Sequence, residues 1–347
     1  MNESPLSSVR LTIFAIVVGA IAVASVAYLY VARIETPSAS AGPARVVDDS
    51  ERQALVAVRQ GPHVAFRDMA PGPGYGRLAF RSIESHASRF TTLLPCNRVH
   101  FSAAVGLCLT IARDPAGFRG YLIGDGLGVT RAIDLPGVPS RTRISRDSRF
   151  AAYTAFVAGD SYLASGLSTR TRIVDTHSGS TLGDLESFAV TRDGTVMRAV
   201  DFNFWGVTFT RDANRFYATL GTGGRILLVE GDVAQRALRV IAEDIECPSL
   251  SPDETHIAFK KRFGSGLDAW WQPALLNLTT KDVRLLPEPK HIDDQIEWLD
   301  NGHILYAVGH SVSAAQRRAD VWMLAIDGAS PPSVFIADGE SPAVVRP

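Results

Sequence analysis

Ser251-Pro252-Asp253-Glu254-Thr255-His256-Ile257-Ala258-Phe259 reads as a tight turn that runs directly into a strand. Serine at the first turn position hydrogen-bonds to nearby backbone, proline presets φ at the second, and aspartate tolerates the third. The Ile257-Ala258-Phe259 run that follows has β-forming character. Variants of this unit recur. Ser145-Arg146-Asp147-Ser148-Arg149-Phe150-Ala151-Ala152-Tyr153 and Thr210-Arg211-Asp212-Ala213-Asn214-Arg215-Phe216-Tyr217-Ala218 repeat it, and Leu299-Asp300-Asn301-Gly302-His303-Ile304-Leu305-Tyr306 is a more distant copy. Asp212 and Asp253 are 41 residues apart, Asp253 and Asp300 47. A period of that length, with four short strands per unit, marks a β-propeller blade.

The second half of each unit agrees. An aliphatic strand, a small-residue turn and another strand follow the turn strand, as in Ala274–Leu278 with Asp282–Leu286, Val321–Ile326 with Ser333–Ala337, and Tyr121–Ile123 with Val129–Leu135. Helical periodicity is missing beyond residue 60, so the fold class is all-β. The turn resembles the Ser-Pro-Asp-Gly signature of the TolB-like, WD40-like (PD40) propeller family. Phe204-Trp205-Gly206-Val207-Thr208-Phe209 and Glu246-Cys247-Pro248-Ser249-Leu250-Ser251-Pro252-Asp253 resemble stretches of membrane-anchored bacterial members. The resemblance covers 61–347 and implies a six-bladed propeller; it does not imply an enzyme. It does not extend to the additional amino-terminal α/β domain of TolB, so a role in the Tol–Pal system does not follow from it.

Residues 61–95 supply only three strands, Val64–Phe66, Arg77–Ser82 and Arg89–Leu93. Blades two to six fall at about 96–138, 139–187, 201–243, 245–287 and 291–337, with an Asp193-Gly194 hairpin before the fourth. The last segment, Ser341–Val345, resembles the start of a further unit, and pairing it with the three strands would complete blade one.

Ahead of the propeller, a short tail (1–10) leads into an uncharged, mostly apolar run, Leu11–Ala32. As a helix it spans about 33 Å, enough for a hydrocarbon core of about 30 Å. A single transmembrane signal-anchor is the preferred reading. A cleaved signal peptide, processed near Ala39-Ser40-Ala41, is the alternative, although the run exceeds the usual signal core of about 7–15 residues. A flexible, proline-bearing spacer is expected over 33–60, with a short helix at Asp48–Val58. Charges flanking the run do not code orientation. A large folded domain can cross regardless of them, so the propeller is expected on the extracytoplasmic side of the cell membrane.

Formal net charge is −1 and charged residues make up 20%, which gives no basic footprint for nucleic acid. Cys96 and Cys108 lie near the ends of a tight hairpin, close enough to bridge. A disulfide there would persist in an exported domain, and two buried thiols are the other reading. Cys247 is left over, expected buried at a strand start. Eight histidines form no His-Glu-x-x-His or Cys/His cluster, and Asp293-Asp294 reads as a solvated loop pair, so no metal or other cofactor is indicated. Gly309-His310-Ser311-Val312-Ser313 lacks the last glycine of a nucleophile elbow, and no catalytic set emerges. Trp205 reads as inter-blade packing; Trp270 and Trp271 cannot both face inward from one strand.

The expected function is a non-catalytic, membrane-anchored binding module for an envelope protein or peptide. A propeller enzyme or carbohydrate-binding protein, with a site assembled from several blades, is the alternative. Loops between second and third strands are long and varied, at Arg67–Tyr75, Arg113–Arg119, Ala158–Arg170, Phe263–Ala269 and Gly309–Arg318, whereas the Ser-Pro-Asp turns on the other face are short. Variable loops on a rigid scaffold carry function. Partner contacts are therefore expected from Arg67, Tyr75, Phe118, Arg119, Tyr162, Trp270, Trp271, Arg317 and Arg318, of types enriched in interfaces.

Overall fold

A computed structural model describes residues 49–84, 89–111, 117–158, 167–264, 266–313 and 316–347. The expected membrane segment 11–32 lies outside them, as does Tyr162. No helix among the described residues is long and apolar enough to cross a membrane. Part of the expected spacer is instead ordered. Helix α1 (Asp49–Gln60) lays Leu55 and Val58 against the core between blades one and two, and Arg59 reaches the ring of Phe80 and the carboxylate of Asp125.

Six sheets make up the propeller. Blade one contains β1 (His63–Asp68), β2 (Arg77–Ser82) and β3 (Phe90–Pro95). Blade two is β4 (Arg98–Phe101), β5 (Gly106–Ile111), β6 (Phe118–Ile123) and β7 (Val129–Asp134), and blade three is β8 (Val138–Ile144), β9 (Phe150–Ala158), β10 (Leu167–Asp175) and β11 (Thr181–Asp184). The hairpin β12 (Ala189–Arg192) and β13 (Thr195–Met197) turns at Asp193-Gly194 and adds to the outer edge of blade four, β12 running parallel to β17. That blade is β14 (Asn203–Phe209), β15 (Arg215–Thr222), β16 (Arg225–Asp232) and β17 (Ala237–Glu243). Blade five is β18 (Glu246–Leu250), β19 (His256–Phe263), β20 (Trp270–Asn277) and β21 (Val283–Leu285), and blade six is β22 (Glu297–Asp300), β23 (His303–Ser313), β24 (Gln316–Ala325) and β25 (Ser333–Ile336). The final strand, β26 (Gly339–Val345), pairs antiparallel with β1 as the innermost strand of blade one, so the chain closes the ring with its own end.

The repeated turn has one geometry in three blades. The hydroxyls of Ser145, Thr210 and Ser251 donate to Asp147, Asp212 and Asp253 at 2.7, 2.6 and 2.6 Å. Their carbonyls accept from the N–H three residues on, at Ser148, Ala213 and Glu254. Those last residues sit at φ +65°, +59° and +61°, the conformation glycine would take without strain. Inter-blade seams are apolar: Phe204, Phe216, Leu220 and Leu227 are wholly buried among blades three and four, and Ile304, Tyr306 and Leu324 between five and six. Cys96 and Cys108 are bonded to each other, with their Cα atoms 5.5 Å apart, and sit in the core between blades one and two.

Candidate functional site

Four innermost strands are interrupted where they line the central channel. Register shifts lie at Pro139–Arg141 in β8, Trp205–Thr208 in β14 and Glu246–Ser249 in β18, and in blade one the shift faces Ser341-Pro342 of β26. Proline is tolerated there because an innermost strand has one unpaired edge. Bulges re-aim side chains. Gly206 (φ +68°) shows how tightly: a Cβ on it would come within 2.7 Å of the Cα of Cys247, itself at φ +52°. Ser341 has the matching φ of +54°. Glu246-Cys247-Pro248 and Glu340-Ser341-Pro342 are thus one structural device used twice. That Glu-x-Pro repeat was visible in the sequence and marks where channel residues are placed.

Between the bulges opens a cavity of about 580 Å³. Trp271, Gly309 and Arg317 on its wall come from blades whose long loops lie at that mouth, so it opens on the long-loop face. Its aromatic wall is Phe156, Trp205 and Trp271. Phe156 is 42% exposed, unusual for phenylalanine on a blade strand. Trp205, expected between blades, is half-buried and stands on the cavity wall. Trp271 donates its indole N–H to Glu246 at 2.5 Å, with the Lys260 ammonium 4.9 Å above its ring. Trp270 points the other way, stacked on Phe263 at 4.7 Å and exposed. Alternation along β20 therefore sends one tryptophan to the channel and its neighbour to the loop surface.

The cavity floor is ionic. Arg98 meets Asp294 at 3.4 Å, Arg141 meets Asp293 at 3.4 Å, and Lys260 meets Asp293 at 2.7 Å. Of the Asp293-Asp294 pair, expected to be solvated, Asp293 keeps its side chain 57% exposed while meeting Lys260 and Arg141, whereas Asp294 is only 6% exposed beside Arg98. Burial opposes the Asp293 charge, but Lys260 and Arg141 outweigh it and hold the carboxyl below its usual range. One layer deeper, Arg143 pairs with Glu297, whose pKa is pushed down to about 2: burial would raise it, but Arg143 and His100 prevail. His100 is itself pulled down by burial. Below that layer the opposite mouth holds a second cavity, about 400 Å³, lined by the turn residues Ser251, Pro252 and Asn301.

Of the expected contact residues, Arg67, Tyr75 and Arg317 meet at the mouth. Arg67 pairs with the buried Glu340 at 2.5 Å and lies over the Tyr75 ring. The Tyr75 hydroxyl donates to the Arg317 carbonyl at 2.7 Å, and the Arg317 guanidinium stands 3.5 Å from Glu340. Arg318 is turned away to Asp338. Phe118 and Arg119 do not reach the cavity. Phe118 packs on the core between blades two and three, and Arg119 pairs with Asp134 of β7. Among the described residues, His310, Asp320 and Asp338 bring potential metal-ligand atoms within 4.8 Å of one another. Asp338 is already neutralised by Arg318, which weakens the cluster as a cation site.

The fold has known counterparts. TolB from Acinetobacter baumannii superposes with a TM-score of 0.56 over 86% of this chain and 70% of that one, at 17% identity. The fold is that of a TolB-like propeller. A chain of the nidogen/laminin complex superposes with a TM-score of 0.52 over 82% of this chain and 98% of that one, at 10% identity. No family model matches the sequence, and no curated protein matches it. At these identities the likeness is one of architecture. The channel bulges, aromatic wall and ionic floor of this TolB-like propeller are read from its own residues.

Proposed function

We propose that this chain is a non-catalytic binding module of the cell envelope, anchored by residues 11–32, which recognises a protein or peptide partner at the long-loop mouth of the propeller. The observation that carries the reading is the cavity there, in which three aromatic side chains stand half-exposed beside arginines. Aromatic and arginine side chains dominate binding hot spots. A cavity of this size suits one or two side chains of an inserted segment. Its acids are held by Lys260, Arg141 and Arg98, an arrangement suited to recognition rather than to general acid catalysis.

The test is crosslinking of full-length protein in native membranes, followed by binding measurements with the captured partner. Alanine at Trp271, Phe156 or Arg317 is expected to weaken binding about tenfold or more. Glu254→Ala on the turn face should leave it within about twofold. The opposite pattern would place the partner on the turn face.

A further inference from the structure

The channel charges do not balance. Around the mouth and floor, Arg67, Arg98, Arg141, Lys260 and Arg317 face Glu246, Asp293, Asp294 and Glu340, leaving one positive charge in excess. Hydrogen bonding here is loose on both sides: one buried oxygen of Asp294 and one of Glu340 lack a hydrogen-bond partner, and the guanidinia are loosely held too. A guanidinium carries five N–H donors. Arg98, with a side chain 15% exposed, reaches the Asp294 carboxylate at 3.4 Å, a long contact. Arg141 is 8% exposed, gives one terminal nitrogen to the Ser140 carbonyl and the other to Asp293, and keeps a buried Nε with no partner. The carboxylate contacts of both guanidinia, at 3.4 Å, exceed the usual N–H···O range, and Arg141 relies instead on the Ser140 and Asp293 backbone carbonyls at 3.0 and 3.2 Å, so neither guanidinium is tightly paired with a carboxylate. Lys260, by contrast, holds the Asp293 carboxylate at 2.7 Å and lies over the Trp271 ring.

Buried donors without acceptors are costly, and a surplus cation in a low-dielectric cavity attracts an anion more strongly than the same charge in water. The anion that suits a planar donor set is another planar fork, a carboxylate. Phe156, Trp205 and Trp271 would then cover the apolar group next to it. We infer that the partner's inserted segment ends in, or carries, a carboxylate that seats against Arg98 and Arg141, with Arg317 guiding it in at the mouth. This rests on the binding-module reading and specifies its ligand as an acidic peptide segment. The carboxylate has two possible sources, a chain terminus or an Asp/Glu side chain.

Four peptides separate these cases by calorimetric titration of the full chain: N-acetyl-Ala-Leu-Phe with a free terminus, its amide, N-acetyl-Ala-Glu-Phe amide, and N-acetyl-Ala-Lys-Phe amide. At least one of the two acidic peptides should bind about tenfold or more tighter than the neutral amide, and the one that does identifies the source. Arg98→Gln should abolish that preference. Arg317→Gln, at an exposed mouth position where folding is not at risk, should reduce it and lessen its salt dependence. Tightest binding of the lysine peptide, absence of binding by both acidic peptides at millimolar concentration, or a preference untouched by both substitutions would each overturn the inference. Loss of the captured partner on Trp271→Ala in the same preparation would still uphold the binding-module reading.

Discussion

Glu186 follows the last strand of blade three, with one carboxylate oxygen accepting from the Thr171 N–H at 3.2 Å and the other buried without a partner. Burial is the main cause of its pKa rising from 4.5 to about 7, only partly offset by those hydrogen bonds and by Arg170. Because the folded value lies above the unfolded one, the stability contributed by this group is fully present below about pH 4.5 and is lost as pH rises through 7. Glu186→Gln should therefore gain about 1–3 kcal/mol on wild type at pH 8 relative to its effect at pH 4. Urea unfolding of both proteins at the two pH values checks it, and equal differences at both would show that the native carboxyl titrates normally. The same scale explains why neighbouring residues part company. Trp270 and Trp271, or Arg317 and Arg318, are adjacent in sequence, yet strand alternation sends one of each pair to the channel and the other away from it.

At the scale of elements, blade two depends on the bond that ties its first strands to the end of blade one. Cys96 follows β3 directly, and Cys108 lies in β5, paired with Val99 and Tyr121. The bond staples the seam between blades one and two rather than a hairpin within one sheet. Replacing both cysteines by serine should lower stability by up to about 3 kcal/mol in the loop-entropy model. Denaturant midpoints measure this, and mass spectrometry of unreduced peptides should find residues 96 and 108 linked. The bulges of β8, β14, β18 and β26 act at this scale too. Each ends regular pairing for a residue or two and turns side chains into the channel.

For the whole molecule, closure is the controlling interaction. β26 buries Glu340, Ala343 and Val345 and supplies the innermost strand of blade one, while Glu340 holds Arg67 and Arg317 at the channel mouth. Deleting 339–347 would open blade one at the axis and leave Glu340's partners without their counter-charge. The truncated protein should aggregate, or melt about 10 °C or more below the full chain. A truncated protein that stays soluble with an unchanged melting temperature would show that the ring holds without its closing strand.

The propeller was legible in the sequence because its signals are local. A Ser/Thr-x-Asp turn satisfies its own hydrogen bonds within six residues, and a period-two strand declares itself over five, so neither needs the rest of the chain. The channel cavity was not legible in the same way. Arg98, Arg141, Trp205, Lys260 and Asp293 come from different blades or from the connection between two of them. Only ring closure brings them together, and nothing in the neighbours of Asp293 announces that it will meet Lys260 and Arg141. Loop length did point to the face of the molecule on which Arg67, Tyr75 and Arg317 meet. It could not exclude Phe118 and Arg119, whose packing between blades two and three and pairing with Asp134 form only in the folded blade. Local turn chemistry sets the architecture; electrostatic pairing and bulges between distant strands decide what the channel can hold.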